Sequence, residues 1–198
     1  MHIDELQILD ALAVRTSRDL ITGITPADLR RPTPCADWTL HGLLTHMTAQ
    51  HHGFAAAAEG DGDLANWRAV PLGDDPVATY RSSVDRVLRA FAANGIGDRK
   101  FPLTELSADV LFTAEQALTF HFVDYVVHSW DVARTLGLPL RFDRHVVEAA
   151  LSVARSVPDG PSRLEPGSPF APAVAAPGAS GLDEVVALLG RSPAWPEA

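Results

Sequence analysis

The stretch that most constrains this chain is Glu115 to Arg134, EQALTFHFVDYVVHSWDVAR, whose spacing predicts one long helix. It carries His121, Asp124, His128 and Asp131 at steps of three, four and three residues. At ~100° per residue those four positions fall on one stripe. Phe122, Val123, Val126, Val127, Trp130 and Ala133 spread over the remaining faces. A helix that is apolar nearly all round belongs inside a bundle. Two imidazoles and two carboxylates on a buried stripe then need partners, because unpaired buried polar groups are costly. A metal ion would satisfy them.

The rest of the chain supplies helices to surround it. Residues 4–22 show a period near 3.6, with Leu6, Leu9, Ala13 and Leu20 inward and Gly23 as the stop. Thr25-Pro26 with Asp28 predicts a short helical turn, and Thr33-Pro34 an extended one. Asp37 is placed to cap a second helix, roughly Thr39 to Ala58. Along it, steps of five residues turn ~140°, so His41, His46 and His51 cannot share one face. His46, flanked by Leu43 and Met47, is expected to lean inward, and His41, His51 and His52 to be solvated. Glu59 to Asp75, rich in Gly and Asp, reads as a surface loop.

Pro76 opens a third helix with Tyr80, Val84, Val87, Leu88 and Phe91 inside, ended by Asn94-Gly95. Arg99 to Leu106 reads as a short extended segment or a hairpin arm. The long helix follows, closed by Gly137 and Pro139. Asp143 is placed to cap a fifth helix through about Ser156, and Leu182 to Leu189 forms a short last one. Pro158 to Gly181 is dense in Pro, Gly and Ala, either an ordered irregular wrap or a mobile arm. The pattern is all-α: an up-and-down four-helix bundle in residues 1–157, with a short irregular C-terminal extension, 158–198, packed on the same domain.

Charge and composition narrow the function classes. A net charge of -9 with a single lysine, Lys100, and no basic run argues against a nucleic-acid partner. One cysteine, Cys35, excludes an internal disulfide framework and fits a reducing cytoplasm. The first twenty residues lack a basic region followed by an apolar core, so no signal peptide is expected. Apolar runs fall short of a membrane span. A soluble, cytoplasmic protein acting on a small molecule is the expectation.

Asp124 and His128 stand at i and i+4, about 6 Å apart along the helix axis, a spacing that lets two ligands reach one ion. His46 is the best-placed third ligand. Two imidazoles and one carboxylate make an open tripod suited to Zn2+, Ni2+ or Fe2+, with positions left for water or substrate. The plainer alternative is an intrahelical hydrogen-bonded pair. His121, two turns from His128 and about 10 Å away, reads as a core or pocket histidine rather than a ligand. Asp131 is placed to accept from a ring nitrogen of His128, or is a surface carboxylate. An enzyme would line the space above the ion with groups such as His121, Trp38 or Tyr125. Cys35, just before the second helix, is either a thiol activated by the helix dipole or a small buried filler. No Ser-His-Asp arrangement, phosphate loop or dinucleotide fingerprint is present.

The segment Thr33-Pro34-Cys35-Ala36-Asp37-Trp38, followed by Leu43-Leu44-Thr45-His46-Met47, resembles the "TPC-x-x-W … L-x-x-H-M" pattern of the mycothiol-dependent maleylpyruvate isomerase N-terminal domain family. That family belongs to the DinB-like metal-binding four-helix bundles. Asp124 to Asp131 resembles its "E-x-x-x-H-x-W-D" helix, and Leu188 to Pro193 after Phe170-Ala171-Pro172 is similar to a short-chain branch described only as metal-binding. The resemblance places the family's metal triad on His46, Asp124 and His128. Position 124 is Asp where the isomerases have Glu, one methylene shorter. It implies a divalent ion, usually zinc, that activates a low-molecular-weight thiol such as mycothiol by lowering its pKa. The function implied is a metal-dependent thiol-S-transferase or isomerase-like enzyme, with His121 and Asp131 as candidate catalytic groups; the alternative is a non-enzymatic metal- or ligand-binding bundle. A homodimer is also implied.

Overall fold

The computed structural model describes residues 1–35, 38–165 and 167–196, and within them the chain forms six α-helices. These are α1 (Ile3–Leu20), α2 (Leu40–Ala58), α3 (Pro76–Phe91), α4 (Ala114–Leu136), α5 (Arg144–Ser156) and α6 (Leu182–Leu188). Between α3 and α4 a two-residue strand β1 (Lys100–Phe101) pairs antiparallel with β2 (Phe112–Thr113), Lys100 opposite Thr113. The hairpin arm expected between Arg99 and Leu106 is therefore real but short.

Local chemistry fixes the helix ends. Asp75 caps α3 through Oδ1 to Ala78 N at 2.9 Å, with Pro76 in the first turn, where its missing N–H costs nothing. Thr113 and Gln116 close a reciprocal capping box at the start of α4, and Gly137 ends it in the left-handed conformation. α1 stops at Leu20, three residues before Gly23, with Ile21 as its cap. Asp37 lies outside the described residues, and the cap of α2 is Thr39, whose hydroxyl accepts from Gly42 N. Asp143 precedes α5 as expected but makes no side-chain capping bond.

α1 packs along α4 and α2 along α3, while α1–α3 and α2–α4 contacts close the ring. Among the described residues α1 and α2 make no comparable contact, so these consecutive helices lie across the diagonal. α5 and α6 pack on each other and on the flank of α4 that the ring leaves open. Neighbours on all sides explain why α4 is apolar nearly all round: Phe122, Val123, Val126, Val127, Trp130 and Ala133 are all buried.

A polar layer runs through the middle of the bundle. His121 Nδ1 lies 2.6 Å from Asp10 Oδ1 of α1, and His51 Nδ1 lies 2.8 Å from Ser83 Oγ of α3. Tyr80 OH meets Ser17 Oγ at 2.7 Å, and Tyr125 OH donates to Met47 O. All six side chains in the first three pairs are at most 1% exposed. The expectation that His51 is solvated is thus wrong. α2 is wedged between α3 and α4 and is rich in Ala and Gly, so its buried arc is wide enough to take both His46 and His51, on different sides.

Candidate metal centre

α2 and α4 bring His46, Asp124 and His128 together. One ligand atom from each lies within 4.8 Å of the other two. The Nε2 of His128 is 3.3 Å from Asp124 Oδ1, and the rings of His46 and His128 meet edge-on at 5.3 Å. Asp124 remains 24% exposed at its side chain while that of His128 is 4% exposed, so the centre is a recess open on one side. Trp38 covers His46, ring centroids 4.6 Å apart.

The surroundings hold these donors in a metal-ready state. His128 Nδ1 lies 2.9 Å from the fully buried Asp131 Oδ2. A carboxylate only accepts, so Nδ1 carries a hydrogen toward Asp131, and Nε2, which faces Asp124, is the ring nitrogen a metal ion would take. Metal-bound histidines carry this carboxylate partner as a rule, because it fixes the tautomer and raises the basicity of the ligating nitrogen. Burial, and then the neighbouring His128, lower the His46 pKa to about 4, against the pull of Asp124. At neutral pH His46 is therefore uncharged and binds a cation without first losing a proton. The donor set of two imidazoles and one carboxylate fits a divalent ion of the zinc, nickel or iron kind.

A residue that the sequence reading did not single out completes the arrangement. Arg191, from the segment after α6, is 6% exposed and donates from Nη2 to Asp131 Oδ2 at 3.3 Å. The same Nη2 lies 3.5 Å from Cys35 Sγ, and Nη1 donates to Leu189 O at 3.0 Å. Gly190 makes the turn possible. Its φ is +84°, and a Cβ there would stand 2.7 Å from Ala171 O. The chain Arg191–Asp131–His128 ties the C-terminal extension to the centre. Only the Gly-Arg pair after a final helix hinted at it, and that pair names no target.

Other candidates sit elsewhere. His121 is fully buried one layer deeper, on Asp10, and Tyr125 beside it is equally buried, so neither lines the recess; Trp38 does. His121 Nε2 has no partner among the described residues. Cys35 lies close by, but its thiol is not activated. Burial pushes its pKa up to about 11, outweighing the Arg191 charge that pulls it down. A hollow of 320 Å³ in the extension, lined by Arg163, Glu165 and Phe170, shares no residue with the centre. Arg163 there is spent on the carbonyls of Val157, Pro158, Ala171 and Leu188.

The model of the mycothiol maleylpyruvate isomerase N-terminal domain matches residues 11–133, well over half of the chain and every member of the triad. The chain belongs to that family. Its all-α, DinB-like helical architecture is the one observed here. Two uncharacterised proteins from two strains of Mycobacterium tuberculosis are each 27% identical to this family member over 181 residues, 87% of this chain and 90% of theirs. No solved structure matches it significantly. The match to the family domain ends before α5, so Arg191 lies outside it. No helix among the described residues of this family member is long and apolar enough to cross a membrane.

Proposed function

We propose that the chain binds one divalent ion, zinc above nickel or iron, at His46, Asp124 and His128, and uses it to activate a low-molecular-weight thiol of the mycothiol kind for transfer to an electrophilic small molecule. The observation that carries this reading is the convergence of three donors within 4.8 Å, one of them hydrogen-bonded through its other ring nitrogen to a fully buried carboxylate. An intrahelical pair alone would need neither His46 nor Asp131. The ion supplies, when bound, the positive charge that lowers the pKa of a thiol or water. The protein's own part is to hold its donors neutral or anionic as required, with Asp131 fixing the His128 hydrogen at Nδ1. Trp38 closes one wall over His46, and the exposed edge of Asp124 marks where a small molecule enters.

The test is metal content after purification without chelator or nickel resin, beside a His128→Ala variant, followed by a screen of thiols against electrophiles. About one zinc per wild-type chain, absent from the variant, together with thiol-dependent turnover supports the proposal. Stoichiometric metal without any effect of thiols would make the protein a non-enzymatic metal-binding bundle. No metal even after reconstitution would remove the centre itself.

A further inference from the structure

One turn of α2 beyond His46 stands a polar pair that ion binding leaves unused. Gln50 follows His46 by one turn on α2, so the two side chains project from one face. Gln50 is 7% exposed, and its Nε2 donates to Glu105 Oε2 at 2.6 Å. Glu105 stands on the loop between β1 and β2 and is itself exposed. Among the described residues its carboxylate has no other hydrogen bond, so Oε1 remains open. Partial burial of its carboxyl raises its proton affinity above that of an ordinary glutamate, Gln50 opposes this, and the Asp124 charge adds to the rise. Through Gln50 an exposed carboxylate is held one helical turn along α2 from His46, and both His46 and Asp124 are only partly buried.

A tether for this loop would need only an acceptor for the Gln50 amide. A carboxylate gives more: one oxygen is pinned by a buried amide, and the other accepts no hydrogen bond among the described residues. Such a group accepts hydrogen bonds and cannot donate them. It attracts an ammonium or hydroxyl group and repels a carboxylate. Arg191, the cation tied to the centre through Asp131, is buried and engaged there, so it offers an incoming ligand nothing to offset this preference.

We propose that Glu105, held by Gln50, is a specificity-determining residue of this centre, selecting thiols that carry a hydrogen-bond donor (an ammonium or hydroxyl group) near the sulfur. This rests on the thiol-binding function proposed above. The experiment uses the full chain loaded with Co2+, wild type beside Glu105→Gln and Glu105→Asp. Each protein is titrated with cysteamine, 2-mercaptoethanol and 3-mercaptopropionate while the sulfur-to-cobalt absorption is followed. Dividing each variant's ratio of dissociation constants by that of wild type cancels the ion's own preference among thiols.

The preference for cysteamine over 3-mercaptopropionate should fall about fivefold in Glu105→Gln, the upper range for a partly exposed ion pair, with cobalt stoichiometry unchanged and partial recovery in Glu105→Asp. A parallel loss for 2-mercaptoethanol identifies hydroxyl donors as ligands too; a loss confined to cysteamine identifies ammonium. An unchanged ratio overturns the role of Glu105 and leaves the thiol function standing. If no thiol alters the cobalt spectrum of any of the three proteins, the thiol function falls and the specificity role with it.

Discussion

Asp131→Asn separates the two duties that one buried carboxylate performs. Oδ2 of Asp131 lies 2.9 Å from His128 Nδ1 and 3.3 Å from Arg191 Nη2, with the residue 0% exposed. Asparagine keeps the shape and one carbonyl oxygen but loses the charge. His128 would then donate to a neutral acceptor, and its Nε2 becomes a weaker ligand. Removing carboxylate partners of metal-bound histidines lowers affinity about 10–100-fold, or about 1.4–2.7 kcal/mol. The second cost falls on the fold. Arg191, 6% exposed, loses the one carboxylate it meets among the described residues. Breaking a buried pair on one side costs about 3–5 kcal/mol. The bond from Nη1 to Leu189 O survives and the contact is a long one, so we expect about 3 kcal/mol.

Chelator competition for Zn2+ measures the first cost, and urea unfolding of the metal-free protein the second. Adding Arg191→Met to Asp131→Asn removes the stranded cation. It should restore most of the lost unfolding free energy while leaving zinc affinity low. An Asp131→Asn protein that holds zinc within twofold of wild type, and unfolds at the same urea concentration, would refute the reasoning on both counts.

Two further outcomes follow from the same structure. Metal-free protein should lose stability as pH falls from about 6.5 toward 4. The unfolded chain protonates near 6.5, whereas folded His46 stays neutral down to about 4, a span worth at most ~3 kcal/mol. His51, whose pKa burial lowers well below the usual value, acts with the same sign. Urea midpoints that stay flat between pH 7.5 and 4.5 would contradict this. Gly53→Ala should lower the melting temperature even though alanine favours helix by about 1 kcal/mol. A Cβ at that position would stand 2.2 Å from Trp67 Cδ2, and Trp67 is only 6% exposed, so overpacking of about 1–3 kcal/mol or more outweighs the gain. A variant melting at or above wild type shows that Trp67 moves aside freely.

What the sequence determined by itself is what short-range periodicity can encode. The 3.6-residue period and near-continuous apolar character of Glu115–Arg134 specified a buried central helix and put Asp124, His128 and Asp131 on one stripe of it. Turn and cap residues located all six helices within a few positions, because residues such as Pro76 and Gly137 act on their own neighbours. Periodicity says which face of a helix is buried and leaves open what it is buried against. Only the tertiary structure decided that α1 lies beside α4 and across from α2. That choice puts Asp10 on His121, 111 residues away, and Ser83 on His51, turning a histidine expected in solvent into a core residue. Likewise, nothing near Arg191 in sequence foretells Asp131, 60 residues earlier. A buried charge is tolerable only opposite its counter-charge, so long-range packing, and not local pattern, sets where such a pair can form.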